Sequence, residues 1–183
     1  MHSLPKLEAI QFQPDSMMCC FQFAEQSPLK GFTGLVDWRL LGRLSELQIT
    51  NRFSGKKHHS LLVLPGNRLP ANYFVLIGAG EPTGLSKDAF CELLDTMFDC
   101  ARKLKIRHII VSLPGRDQNY LNGEDAIPWF FEYCTQLLSR SAQFSCVIID
   151  TSEMQSVIVA EAERHRMRQL LPEIDLTAER HLH

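Results

Sequence analysis

YFVLIGAGEPTGLSKDAFCELLDTMFDCARKLKIRHIIVSL, from Tyr73 to Leu113, is the stretch whose reading decides the fold. Tyr73 to Ile77 is a continuous aromatic and β-branched run, the pattern of a strand buried on both faces. Gly78-Ala79-Gly80 then lets the chain turn without a Cβ penalty, and Pro82 and Gly84 extend the loop. Ser86 is placed to cap a helix, with Asp88 at the positive end of its dipole. Phe90, Leu93, Leu94, Met97, Phe98, Ala101 and Leu104 recur at three- and four-residue steps and form one apolar stripe. Arg102, Lys103 and Lys105 close the helix where cations are favoured, and Arg107 to Leu113 reads as a second strand. Strand, helix, strand in so short a span predicts a parallel pair joined by a right-handed crossover.

Working outward, Leu7–Gln13 and Met17–Phe23 read as two opening strands around the turn Pro14-Asp15-Ser16, pairing antiparallel. A helix is expected over Leu35–Leu47, with Val36, Leu40, Leu41, Leu44 and Leu47 facing inward. Ser60–Leu64 is a strand closed by Pro65-Gly66. After Leu113 comes an irregular stretch, Pro114–Glu124, rich in Gly, Asp and Asn. Asp125 is expected to cap a helix with Pro128 in its first turn, Ser145–Asp150 to be a strand, and Ser152–Leu171 a last helix. Strands alternating with helices predict an α/β fold, a mixed, largely parallel sheet flanked by helices on both faces.

The 183 residues suit one domain, with a core over about residues 7–171 and a frayed tail over 172–183. A net charge of -2 gives no bulk attraction to nucleic acid. The sequence has neither a run of about 18 apolar residues nor a signal-peptide pattern, so no membrane association is expected. Six cysteines without a CxxC pair fit buried free thiols in a reducing, cytoplasmic compartment, with no metal site by that route.

Gly34–Leu47 (GLVDWRLLGRLSEL), Phe53–Lys57 (FSGKK), Ser60–Ser86 and Ile106–Gly115 (IRHIIVSLPG) resemble the N-terminal domain of the leucyl aminopeptidase family of metallopeptidases. The resemblance implies a macro-like domain, one that precedes a separate catalytic domain carrying two metal ions. That catalytic domain's motif Asn-Thr-Asp-Ala-Glu-Gly-Arg does not occur here. The expectation is therefore an accessory domain without catalytic residues, metal or cofactor. It would act in assembly or regulation through a protein partner or as a homo-oligomer.

A different class of function is a nucleotide or ADP-ribose binding domain. Its small-ligand site would be Gly78, Ala79, Gly80, Thr83 and Gly84, because ligands of α/β sheets lie at the carboxyl ends of strands and loop amides can cradle a phosphate. Gly115, Arg116 and Asn119 would be the second wall; Tyr120, if it fills the cleft, excludes the idea. The spacing is neither GxGxxG nor a P-loop, and Glu81 repels phosphate. Lys56, Lys57, His58 and His59 read as a solvated loop. Asp37, Trp38 and Arg39 read as structural, with Trp38 packed. Cys91 and Cys134 fall on apolar stripes, which favours core over nucleophile. His181 and His183 sit in the tail, with no metal role assigned to them. Trp129 and Tyr133, four apart on the helix that follows Asp125, mark either a partner interface or a helix buried on two sides. A hydrolase at the glycine cleft ranks third, because no nucleophile and base are forced to meet.

Overall fold

The structure is a computed structural model, and it describes residues 10–24, 26–82, 85–138 and 144–167. The chain runs β1 (Ser16–Phe23), α1 (Gly31–Arg39), α2 (Arg43–Ile49), β2 (Ser60–Val63), β3 (Tyr73–Gly80), α3 (Lys87–Lys103), β4 (His108–Ser112), α4 (Gly123–Leu138), β5 (Ser145–Ile149) and α5 (Gln155–Met167). Short 3-10 turns cover Gly66–Arg68 and Ser152–Met154. One five-stranded sheet has the order β2-β3-β1-β4-β5. All neighbours are parallel except β2, which runs antiparallel to β3.

Alternation along the strands builds two cores. Met17, Cys19, Phe21 and Phe23 of β1, with Val75 and Ile77 of β3, meet the apolar faces of α3, α4 and α5. Met18 and Cys20, with Phe74 and Leu76, meet Phe32, Val36, Leu40 and Leu44 of α1 and α2. The mixed, largely parallel sheet thus carries helices on both faces. α3 begins as its sequence demands: the Ala89 amide donates to Ser86 Oγ at 3.2 Å, and Asp88 lies in the first turn.

Several expectations are corrected. β3 and β4 run parallel but are not neighbours, because β1 lies between them. No strand forms over Ile10–Gln13, while Leu7–Ala9 lie outside the described residues. Both edges of β1 are taken by β3 and β4, so an antiparallel hairpin partner has no edge to join. The expected helix over Leu35–Leu47 is two helices. Leu41 (φ 59°) and Gly42 (φ 78°) take left-handed conformations, and Leu41 points to solvent. The break is held by Asp37, whose Oδ1 accepts from the amides of Leu44 (2.8 Å) and Ser45 (3.3 Å) at the start of α2. Trp38 is 69% exposed rather than packed, because it lies on the face of α1 opposite the buried Phe32 and Val36. Pro128 sits in the second turn of α4, since that helix begins at Gly123 rather than Asp125. Residues 168–171 of the expected last helix and the tail 172–183 lie outside the described residues.

Candidate functional site

Parallel strands end on one side of the sheet, and two regions there are candidates. The first is the glycine stretch. Gly78, Ala79 and Gly80 do not turn; they are the last residues of β3. The amides of Gly78 and Gly80 are already used. Gly78 N–H donates to His59 carbonyl oxygen (2.7 Å) and Gly80 N–H to that of Gly55 (2.9 Å). The Gly80 carbonyl accepts from Ala24 N–H at 2.8 Å. Glycine is required at 78 because a Cβ there would lie 2.0 Å from the Lys56 carbonyl oxygen. Close backbone approach, not a phosphate cradle, accounts for that residue.

Beside this strand end is a cleft of about 360 Å³ lined by Lys56, Lys57, Ala79, Gly80, Glu81, Leu85 and Ala89. Its far wall is the basic loop before β2, not Gly115 to Asn119. Lys57 pairs with Glu92 of α3, and this contact holds the Glu92 carboxyl below its ordinary pKa. The start of α3 is capped by Ser86, so the helix end beside the cleft already has an acceptor. Thr83 and Gly84 lie outside the described residues. Nothing in the sequence tied Lys56 and Lys57 to Gly80; the signal was only the basic run itself.

The second region is the end of β1, which runs four residues beyond its last pairing with β4 at Cys19. The loop after β4 folds into that space. Arg116 is bidentate to Asp150, both bonds 2.7 Å, and donates to the Leu121 carbonyl at 2.8 Å. Asp117 crosses to α1 and accepts from Phe32 N–H (3.2 Å), Thr33 N–H (3.0 Å), Thr33 Oγ1 (2.6 Å) and Ser112 Oγ (2.7 Å). Burial raises the Asp117 carboxyl above the usual carboxylate range, against the pull of those four bonds. Gln118 Nε2 donates to the Phe21 carbonyl oxygen (3.4 Å), and the Tyr120 ring stands edge-on to Phe23 at 5.0 Å. Asn119 is exposed, with φ 58°. Gly115 touches Leu85, where an added Cβ would meet Cδ2 at 2.9 Å, so Leu85 separates the two regions.

Trp129 and Tyr133 pack on α3. Trp129 is edge-on to Phe90 at 5.7 Å, Tyr133 stacks on Phe98 at 5.8 Å, and the Tyr133 hydroxyl donates to Asp95 at 2.5 Å. α4 is therefore buried on two sides. All six cysteines are free, and burial holds the thiols of Cys19, Cys20, Cys134 and Cys146 well above their ordinary pKa. Among the described residues no group of three or more His, Cys, Asp or Glu side chains could hold a metal ion, and no helix is long and apolar enough to cross a membrane.

A family model, the cytosol aminopeptidase family N-terminal domain, matches residues 19–138. The chain belongs to the cytosol aminopeptidase N-terminal domain family. The match is to the family's N-terminal domain and not to its catalytic domain. Tomato leucine aminopeptidase (mutant K354E) superposes with a TM-score of 0.57 at 20% identity over 87% of this chain. This chain spans about a third of that enzyme, 34% of its length. An Oceanobacillus iheyensis macrodomain with ADP gives a TM-score of 0.65 at 12% identity, over 86% of this chain and 87% of that one. A Trypanosoma brucei macrodomain in complex with ADP gives 0.64 at 14%, over 80% and 62%. At these identities the likeness is one of fold, and the fold of this cytosol aminopeptidase N-terminal domain is macrodomain-like. No curated protein matches the sequence.

Proposed function

We propose that this domain is a non-catalytic module that acts through protein contacts, in the assembly or regulation of a partner or of its own oligomer. The observation that carries the reading is where large apolar side chains meet water. Trp38, Leu41 and Ile49 are exposed along α1 and α2, and Leu62 and Leu64 on and after the edge strand β2. Large apolar side chains exposed on α1–α2 and on the edge strand β2 suit a protein partner. The end of β1, where the Asp117 carboxylate is spent on internal contacts, fits the same reading. Size exclusion with light scattering, alongside a pull-down with wild type and Trp38→Ala, tests it. An oligomer or a captured partner that weakens in the variant is expected. A strict monomer with nothing recovered overturns the proposal.

A second reading, binding of a nucleotide-like or ADP-ribose-like anion, is favoured by one feature, the cleft between Lys56, Lys57 and Gly80. A thermal-shift titration with ADP-ribose and ADP near millimolar concentration tests it. Ligand at about 100 times its Kd stabilises the native state by about 2.7 kcal/mol. A saturable shift that vanishes in Lys56→Ala/Lys57→Ala supports this reading, and a flat titration removes it.

A further inference from the structure

We propose that Asp117 is a built-in anion: its carboxylate fills an oxyanion site formed by the Phe32 and Thr33 amides and the Thr33 and Ser112 hydroxyls, and so latches the loop after β4 shut over the end of β1. The inference goes beyond the protein-contact reading and does not depend on it.

The site is more than the start of a helix. Two of its four donors are hydroxyls from different elements, Thr33 on α1 and Ser112 on β4, and both side chains are buried. The four donors converge on one carboxylate: Phe32 N–H and Ser112 Oγ reach Oδ1, and Thr33 N–H and Oγ1 reach Oδ2. That pattern of N–H and O–H donors around two oxygens is what carboxylate, phosphate or sulfate requires. The occupant comes from 84 residues away in sequence, so the contact fixes tertiary structure and is no local turn. Gly31 allows the approach: it has φ 58°, and a Cβ there would lie 2.9 Å from both Asp117 Cβ and the Asp117 carbonyl oxygen. The neighbours of Asp117 in the loop, Arg116 and Gln118, bond outward to Asp150 and Phe21, so one carboxylate sits at the centre of a three-residue clasp.

The experiment is anion rescue. Melting temperature is measured for wild type, Asp117→Ala and Asp117→Ala/Thr33→Val, in chloride and in sodium phosphate or acetate of equal ionic strength. Asp117→Ala is expected to melt about 5 °C or more below wild type, because removing the carboxylate strands four buried donors. Tens of millimolar acetate or phosphate should restore a clear part of that loss. The same anions should leave wild type unmoved and rescue the double variant poorly. Equal stabilisation of wild type and Asp117→Ala overturns the inference and points to the lysine cleft. Absence of rescue in Asp117→Ala also overturns it. If Asp117→Ala does not fold, Asp117→Ser takes its place, with amide exchange at Phe32 and Thr33 as the readout. Exchange should rise in the variant and fall again with added anion; exchange that stays as slow as in wild type sinks the latch. None of these outcomes bears on the oligomer and pull-down results, so the two proposals fail separately.

Discussion

Two ends of the same sheet face are built alike and finished differently. At the end of β1 the following loop turns inward, and every charged group it brings is paired with the fold itself: Arg116 with Asp150, Asp117 with α1. At the end of β3 the neighbouring groups face out. Lys56 and Glu81 border an open cleft, and Lys57 reaches only an exposed carboxylate, Glu92. The comparison teaches that polar groups at strand ends are no sign of a ligand site until their partners are counted. Buried donors that already have acceptors offer nothing to a ligand, whereas half-exposed lysines keep their capacity.

The largest blow to this contrast is Gly78→Val. With a Cβ 2.0 Å from the Lys56 carbonyl oxygen, the β3 end and the cleft wall cannot both persist. A loss of about 4 kcal/mol or more, seen as insoluble or unfolded protein by circular dichroism, is expected. Native-like melting would show that the cleft wall is not packed against β3. Next comes Arg116→Ala, which leaves the carboxylate of Asp150, 2% exposed, without its bidentate partner. About 3 kcal/mol should be lost in urea denaturation. A loss below about 1 kcal/mol would make the β1 end as loosely held as the β3 end.

Ser86→Ala removes the cap of α3 and should cost about 1 kcal/mol, since the Ala89 amide loses its acceptor. Lys57→Ala should cost least of all, too little to move the urea midpoint, because an exposed ion pair is screened by solvent. A larger loss would mean that the open end is held as firmly as the closed one. Thiol chemistry gives the gentlest probe. Burial keeps Cys146 protonated up to about 12, and raises Cys19, Cys20 and Cys134 as well. Burial raises Cys91 and Cys100 too, but these two are partly exposed, so native protein at pH 8 should label there first. The unfolded chain ionises its thiols near pH 8.5 while the native state holds their protons, so stability should fall as pH rises above about 8.5. Fast labelling of Cys19 or Cys20 would reveal an open β1 end.

Legibility in the sequence followed locality. The aromatic and β-branched run at Tyr73, the three-and-four spacing after Ser86 and the run at His108 each report a single element and its buried face, and each was found where it was expected. The break after Leu40 was not legible, because a left-handed Leu41 has no sequence signature and depends on Asp37 reaching the amides of Leu44 and Ser45. Trp129 and Tyr133 could be read two ways until α3 was seen against them.

By itself the sequence determined the α/β class, the helix cap at Ser86 and the family, because hydrophobic period and capping chemistry act over a few residues. Only the tertiary structure decided that β1 separates β3 from β4, that Lys56 and not Gly115 faces Gly80, and that Asp117 closes α1. Those outcomes depend on which distant backbone donors and edges lie unpaired once the chain is folded, and that satisfaction of buried polar groups is set by the assembled sheet, not by neighbours in sequence.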